Sequence, residues 1–132
     1  MNAYSKYAGG FTDQGSYTPD NLIAGEFPIV QRVETITGGK AYPRGAVLGR
    51  VTVSGAYTLS DASAEDGTAK PVCILAQSID ATQGDIKAVV YHSGEFNANS
   101  LTYGAGHDAA SVWSSWRVNG PSTLFLRHNQ EA

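Results

Sequence analysis

Apolar and polar positions alternate in short blocks from residue 27 onward, with a turn signal roughly every ten residues. Residues 27–36 are rich in β-branched side chains and predict a strand. Gly38-Gly39 turns the chain, and Tyr42-Pro43-Arg44-Gly45 turns it again into an apolar strand over 46–53. Gly49 inside that strand predicts a bulge or a close backbone approach. Ser54-Gly55 leads into a short strand at 57–59, and residues 61–68 form a polar loop. Residues 71–79 are apolar at consecutive positions, which predicts a central strand covered on both faces. A turn through Gly84 precedes the next strand over 86–91, and a last apolar run covers 124–126. Many short strands with regular turns favour a small barrel or sandwich.

One segment changes period. Asp108 is a good N-cap for a helix over 109–118, because its carboxylate can accept from the free N–H groups of the first turn. Val112, Trp113 and Trp116 fall together at helical spacing and are expected to form its core face. Arg117 suits the negative end of the dipole, and Gly120-Pro121 stops the helix. The fold class expected is therefore mainly β: a barrel-like domain with one short C-terminal helix and an extended N-terminal arm.

That arm is residues 1–26, and the β-rich domain is 27–132. No hydrophobic period persists through the first segment, and Gly9, Gly10, Gly15 and Pro19 interrupt any regular element. It nevertheless carries Tyr4, Tyr7, Phe11 and Tyr17. Solvated linkers are poor in aromatics, so the segment reads as an arm that orders against a partner, where aromatic rings bury much area at low entropic cost. The bland alternative is that the rings pack on the domain's own surface.

Composition narrows the function. The chain has 132 residues, which suits one domain, and only 16% are charged, against about 25% in typical domains. Its net charge is −3 with cations scattered singly, so nucleic acid is not an expected partner. No run reaches the length of a membrane span, and the polar, aromatic start lacks the apolar core of a signal peptide; synthesis in a cytoplasm without membrane contact is expected. Cys73, the one cysteine, sits in an apolar run and reads as a buried hydrophobe.

Catalytic candidates fail on context. Gly104-Ala105-Gly106-His107-Asp108-Ala109 matches G-x-G-x-x-A, but no buried strand leads into it and no acidic partner follows at the right distance. Gly38-Gly39-Lys40 lacks the first half of a phosphate loop. His92, His107 and His128 have no metal-ligand spacing, and Asp61, Glu65 and Asp66 depart from the calcium-loop pattern. His107-Asp108 suggests a triad only superficially, since no serine sits on a nucleophile elbow. No enzyme activity, cofactor or metal is expected.

Four blocks, taken in order, carry a resemblance: Arg44-Gly45-Ala46-Val47-Leu48-Gly49; Asp61-Ala62 through Asp66-Gly67-Thr68; Pro71-Val72 with Ile74-Leu75-Ala76; and Gly94-Glu95-Phe96-Asn97 followed by Leu101-Thr102-Tyr103-Gly104. Over residues 22–126 the chain resembles the lambda-type head decoration proteins of tailed bacteriophages. The resemblance implies a β-tulip domain that forms a homotrimer on the three-fold sites of the expanded head and cements the coat against internal DNA pressure. It implies the major capsid protein as partner, engaged by strand addition from the N-terminal segment, and a place on the outer surface of the virion. The rival reading is a carbohydrate- or receptor-binding β-module of a phage appendage, whose sign would be exposed aromatics on the folded domain.

Overall fold

The computed structural model describes residues 22–127. Eight strands, one 3-10 turn and one α-helix follow in order: β1 (Val30–Ile36), β2 (Ala41–Tyr42), β3 (Val47–Arg50), β4 (Tyr57–Leu59), β5 (Pro71–Leu75), β6 (Ile79–Asp80), β7 (Ile86–Asn97), the 3-10 turn (Ala98–Ser100), α1 (Ala109–Val118) and β8 (Leu124–Arg127). The main sheet runs β1-β4-β3-β5-β7-β8, and β1 also pairs with β7. That extra pairing closes β1, β4, β3, β5 and β7 into a five-stranded barrel. The fold is thus mainly β and barrel-like with one short C-terminal α-helix, as the pattern predicts.

β7 makes the closure possible because it is long. Its first half runs antiparallel to β1, from Ile36 opposite Ile86 to Val30 opposite Ser93. Its second half, Gly94 to Asn97, runs parallel to β8, with Leu124 opposite Gly94 and Arg127 opposite Asn97. On the β1 side of that second half the chain entering the domain takes over: Ile23 bridges Phe96, Ala24 N–H donates to Glu95 O at 2.9 Å and Asn97 N–H to Leu22 O at 2.8 Å. Leu22 is buried, so residues 22–24 of the expected arm are packed against β7. The rest of it, residues 1–21, lies outside the described residues.

Alternation along the strands divides the interior in two. Leu48, Cys73, Leu75 and Val90 point into the barrel with Ile36, Tyr42 and Tyr57. Their neighbours Val47, Ile74 and Tyr91 point the other way, into a second cluster with Leu22, Phe96, Leu101, Leu124 and the helix residues Val112 and Trp116. β3, β5 and β7 are buried on both faces, which is why they read as continuous apolar runs.

Gly49 behaves as its position predicts. The register of β3 against β5 shifts between Leu48 and Gly49, and a Cβ there would run into the backbone carbonyl of Thr68. The strand expected over 71–79 is shorter: β5 ends at Leu75, and β6 pairs instead with β2. Polar side chains make the break. Gln77 Oε1 accepts from Val89 N–H at 3.0 Å, and Ser78 Oγ accepts from Arg44 N–H at 2.9 Å.

Candidate surface at the end of the barrel

The helix is placed by its cap. Asp108 is extended, its carboxylate accepts from Ser111 N–H, and Ser111 Oγ accepts from Asp108 N–H, both at 2.9 Å. This reciprocal box satisfies two groups that a helix start leaves open. Val112 and Trp116 then face inward and are fully buried. The Trp116 indole N–H donates to Pro71 O at 3.1 Å, so the ring is buried without an orphaned donor.

Trp113 corrects the expectation of a three-residue core face: it is 39% exposed. Residues four apart share a helix face, whereas Trp113 lies about 100° round the axis from Val112. The inward strip is only as wide as the contact with the sheet, and Trp116 fills it.

The displaced indole belongs to a surface row. The Arg117 guanidinium lies 4.5 Å from the centre of the Trp113 ring and 4.8 Å from that of Phe125. Phe125 meets Phe27 edge-on at 5.0 Å. Arg117 also donates to Leu124 O at 2.6 Å, which ties α1 to β8. Beside the row a groove of about 450 Å³ is lined by Asp108, Ala109, Ala110, Trp113 and Leu126. Among these described lining residues Asp108 alone carries a charge. Phe125 and Phe27 were not singled out from sequence, and Arg117 only as a cation suited to the end of the helix. The spacing of Trp113 and Arg117, four apart on a helix, was the available signal for their contact.

β8 is the end strand of the sheet. Gly94 N–H donates to Thr123 O at 3.0 Å, so by alternation the N–H and C=O of Leu124 and Leu126 face away from β7. Arg117 takes the carbonyl of Leu124. Among the described residues no strand pairs with the outward groups of Leu126. The incoming chain lies close by: Arg127 donates to Ala24 O at 2.7 Å, and Leu22–Ala24 and β8 flank the same residues of β7.

Two polar clusters lie elsewhere. His107 Nε2 is 3.0 Å from Ala69 O and 3.1 Å from Ser60 Oγ. A carbonyl only accepts, so Nε2 carries the proton, while Ser60 gives its own to Thr68 O at 2.7 Å. With Ser60 fully buried and the Asp108 carboxylate used as a cap, this arrangement latches loop to helix and presents no nucleophile. His92 Nε2 meets Glu34 Oε2 at 2.9 Å between β7 and β1. Burial, aided by Glu34, pushes the Cys73 thiol far up, which leaves it unreactive. Burial likewise pushes Tyr103, which donates to Ala98 O, up to about 12. Among the described residues no three His, Cys, Asp or Glu gather to hold a metal, and no helix is long and apolar enough to cross a membrane.

Of the residues expected to act, Tyr4, Tyr7, Phe11 and Tyr17 lie outside the described residues. Among the described residues, exposed large hydrophobics include Ile23 and Phe27 in the entering chain, Val30 and Val33 on β1, and Val53, Trp113 and Val118 elsewhere. The family described as bacteriophage lambda head decoration protein D matches residues 12–112 of the chain. No curated protein matches it.

Proposed function

The chain belongs to the bacteriophage lambda head decoration protein D family, a structural, non-enzymatic family of virion components, and from that premise we propose that it acts as a homotrimer on the outer surface of the expanded head. It sits at three-fold sites, binds the major capsid protein and holds the coat against internal DNA pressure. It catalyses nothing and needs no cofactor. The aromatic segment carrying Tyr4, Tyr7, Phe11 and Tyr17 reaches the coat, adding a strand to it and burying its rings there.

The observation that carries this reading is the family match over most of the chain. The exposed Ile23, Phe27, Val30 and Val33, close in sequence to the N-terminal segment, support it as apolar surface a partner can bury. A homotrimer buries such residues by closed cyclic symmetry.

One observation favours the rival glycan-binding reading: the exposed Trp113. Arg117 already covers one face of that ring, so a sugar would have only the other. The experiment that separates the two combines light scattering with a head-binding assay. A trimer mass and saturable binding to expanded heads support decoration. A monomer that ignores heads and binds an oligosaccharide supports the rival.

A further inference from the structure

We infer that the groove between α1 and the free edge of β8 is a second coat-binding site, separate from the N-terminal segment, and that it takes an extended piece of the capsid protein bearing an apolar side chain next to a lysine or arginine. The inference rests on the capsid-decoration reading.

Three features point to that occupant. The first is the backbone. Among the described residues the outward N–H and C=O of Leu126 have no strand beside them, whereas Arg117 blocks the edge one repeat earlier, at Leu124. One residue of an extended segment can therefore exchange two hydrogen bonds with Leu126, the shortest form of strand addition. The second is the lining. Ala109, Ala110, Trp113 and Leu126 form an apolar floor beside that edge, with the Asp108 carboxylate at the rim. One oxygen of Asp108 caps the helix, and the other is bonded to nothing among the described residues. An indole beside a carboxylate suits the apolar stem and cationic head of a lysine or arginine.

The third is position. Leu22–Ala24 and β8 lie on opposite sides of the same stretch of β7, so their separation is two strand spacings, about 10 Å. A coat surface that meets the N-terminal segment as it leaves Leu22 also meets the mouth of this groove. Two linked contacts of modest strength then act together, each raising the effective concentration of the other.

Full-length variants measured against expanded heads that lack decoration protein test this. Ala110→Arg fills the groove from an exposed position on α1. It is expected to weaken head binding about tenfold or more, as loss of an anchoring pocket does. Val118→Arg puts the same charge on an exposed site of the same helix away from the groove, and is expected to bind like the parent. Asp108→Asn keeps a good cap but removes the charge. It is expected to weaken binding about two- to fivefold and to lessen its dependence on salt. Thermal melting is recorded for each variant; should Ala110→Arg not fold, Asp108→Asn decides alone. If the groove variants bind heads as tightly as the parent, the groove inference is overturned while the decoration reading stands. If the parent itself does not bind, both fall. A Trp fluorescence change with an oligosaccharide that Ala110→Arg abolishes, with head binding untouched, would give the groove to a glycan and overturn the inference.

Discussion

The two tryptophans of α1 sit three residues apart and do different work. Trp116 is sealed between helix and sheet with its N–H bonded to Pro71 O. Trp113 stands at the surface under Arg117, beside a groove and a strand edge that no described strand pairs. The same contrast holds at the scale of the molecule. In the barrel each strand has a neighbour on both sides, and the apolar runs are spent on the interior. At the α1–β8 end the sheet stops, an edge remains and the aromatics face out. Closure gives stability and leaves little to bind with; the open end retains binding capacity.

The sharpest way to break this comparison is to truncate each indole in turn. Trp116→Ala is expected to cost about 3–5 kcal/mol, a loss of buried ring plus the cavity it leaves. Trp113→Ala is expected to cost about 1 kcal/mol or less, the value of an exposed cation–π contact. Denaturant melts compare them directly. Equal losses would mean that the outer indole is as structural as the inner one.

Gly49 probes the closed side. Gly49→Ala sets a methyl against the Thr68 carbonyl and is expected to destabilise by about 1–3 kcal/mol, as overpacking does. Gly39→Ala or Gly84→Ala, at positive φ with open space around it, reports backbone strain without the clash and gives the contrast.

On the open side, Phe11→Ala is expected to weaken head binding with no change in melting temperature, and deletion of residues 2–20, which leaves Leu22 in place, to remove most of it. Unchanged binding by the truncated protein would move the contact wholly onto the folded domain.

The smallest effect is on pH. The hydroxyl and then the N–H of Thr68 hold the Asp66 carboxyl below its ordinary 3.8, and Thr82 does the same for Asp80. A carboxyl depressed in the folded state adds stability that is present above its unfolded value and is lost as pH falls through the folded one. Melting temperature should therefore hold from neutrality to about pH 5 and fall below about pH 4. Asp66→Asn should soften that fall slightly. A fall beginning near pH 6 would contradict the assignment to these carboxyls.

Much of the fold was legible in the sequence where local signals agree with the tertiary outcome. The helix over 109–118 and the strand over 57–59 fall where caps and turns put them, and Gly49 marks its bulge. Apolar runs in β5 and β7 announced two-sided burial. What was not legible depends on partners distant in sequence. Residues 71–79 are apolar enough for one strand, yet Gln77 and Ser78 bond across to Val89 and Arg44 and divide it. Trp113 looked like core because periodicity gives a face but not its width. The groove arises only once Leu126 has been brought to the flank of α1, a pairing set by the register of β8 on β7. The aromatic segment could be read for composition alone, and its four rings lie outside the described residues.

The most direct test is an image reconstruction of expanded heads incubated with the purified chain. The account predicts trimeric knobs on the outer surface at the three-fold positions, with density running from each subunit's Leu22 end into the coat and with the α1–β8 groove against the shell. Bare three-fold positions at saturating protein would contradict it.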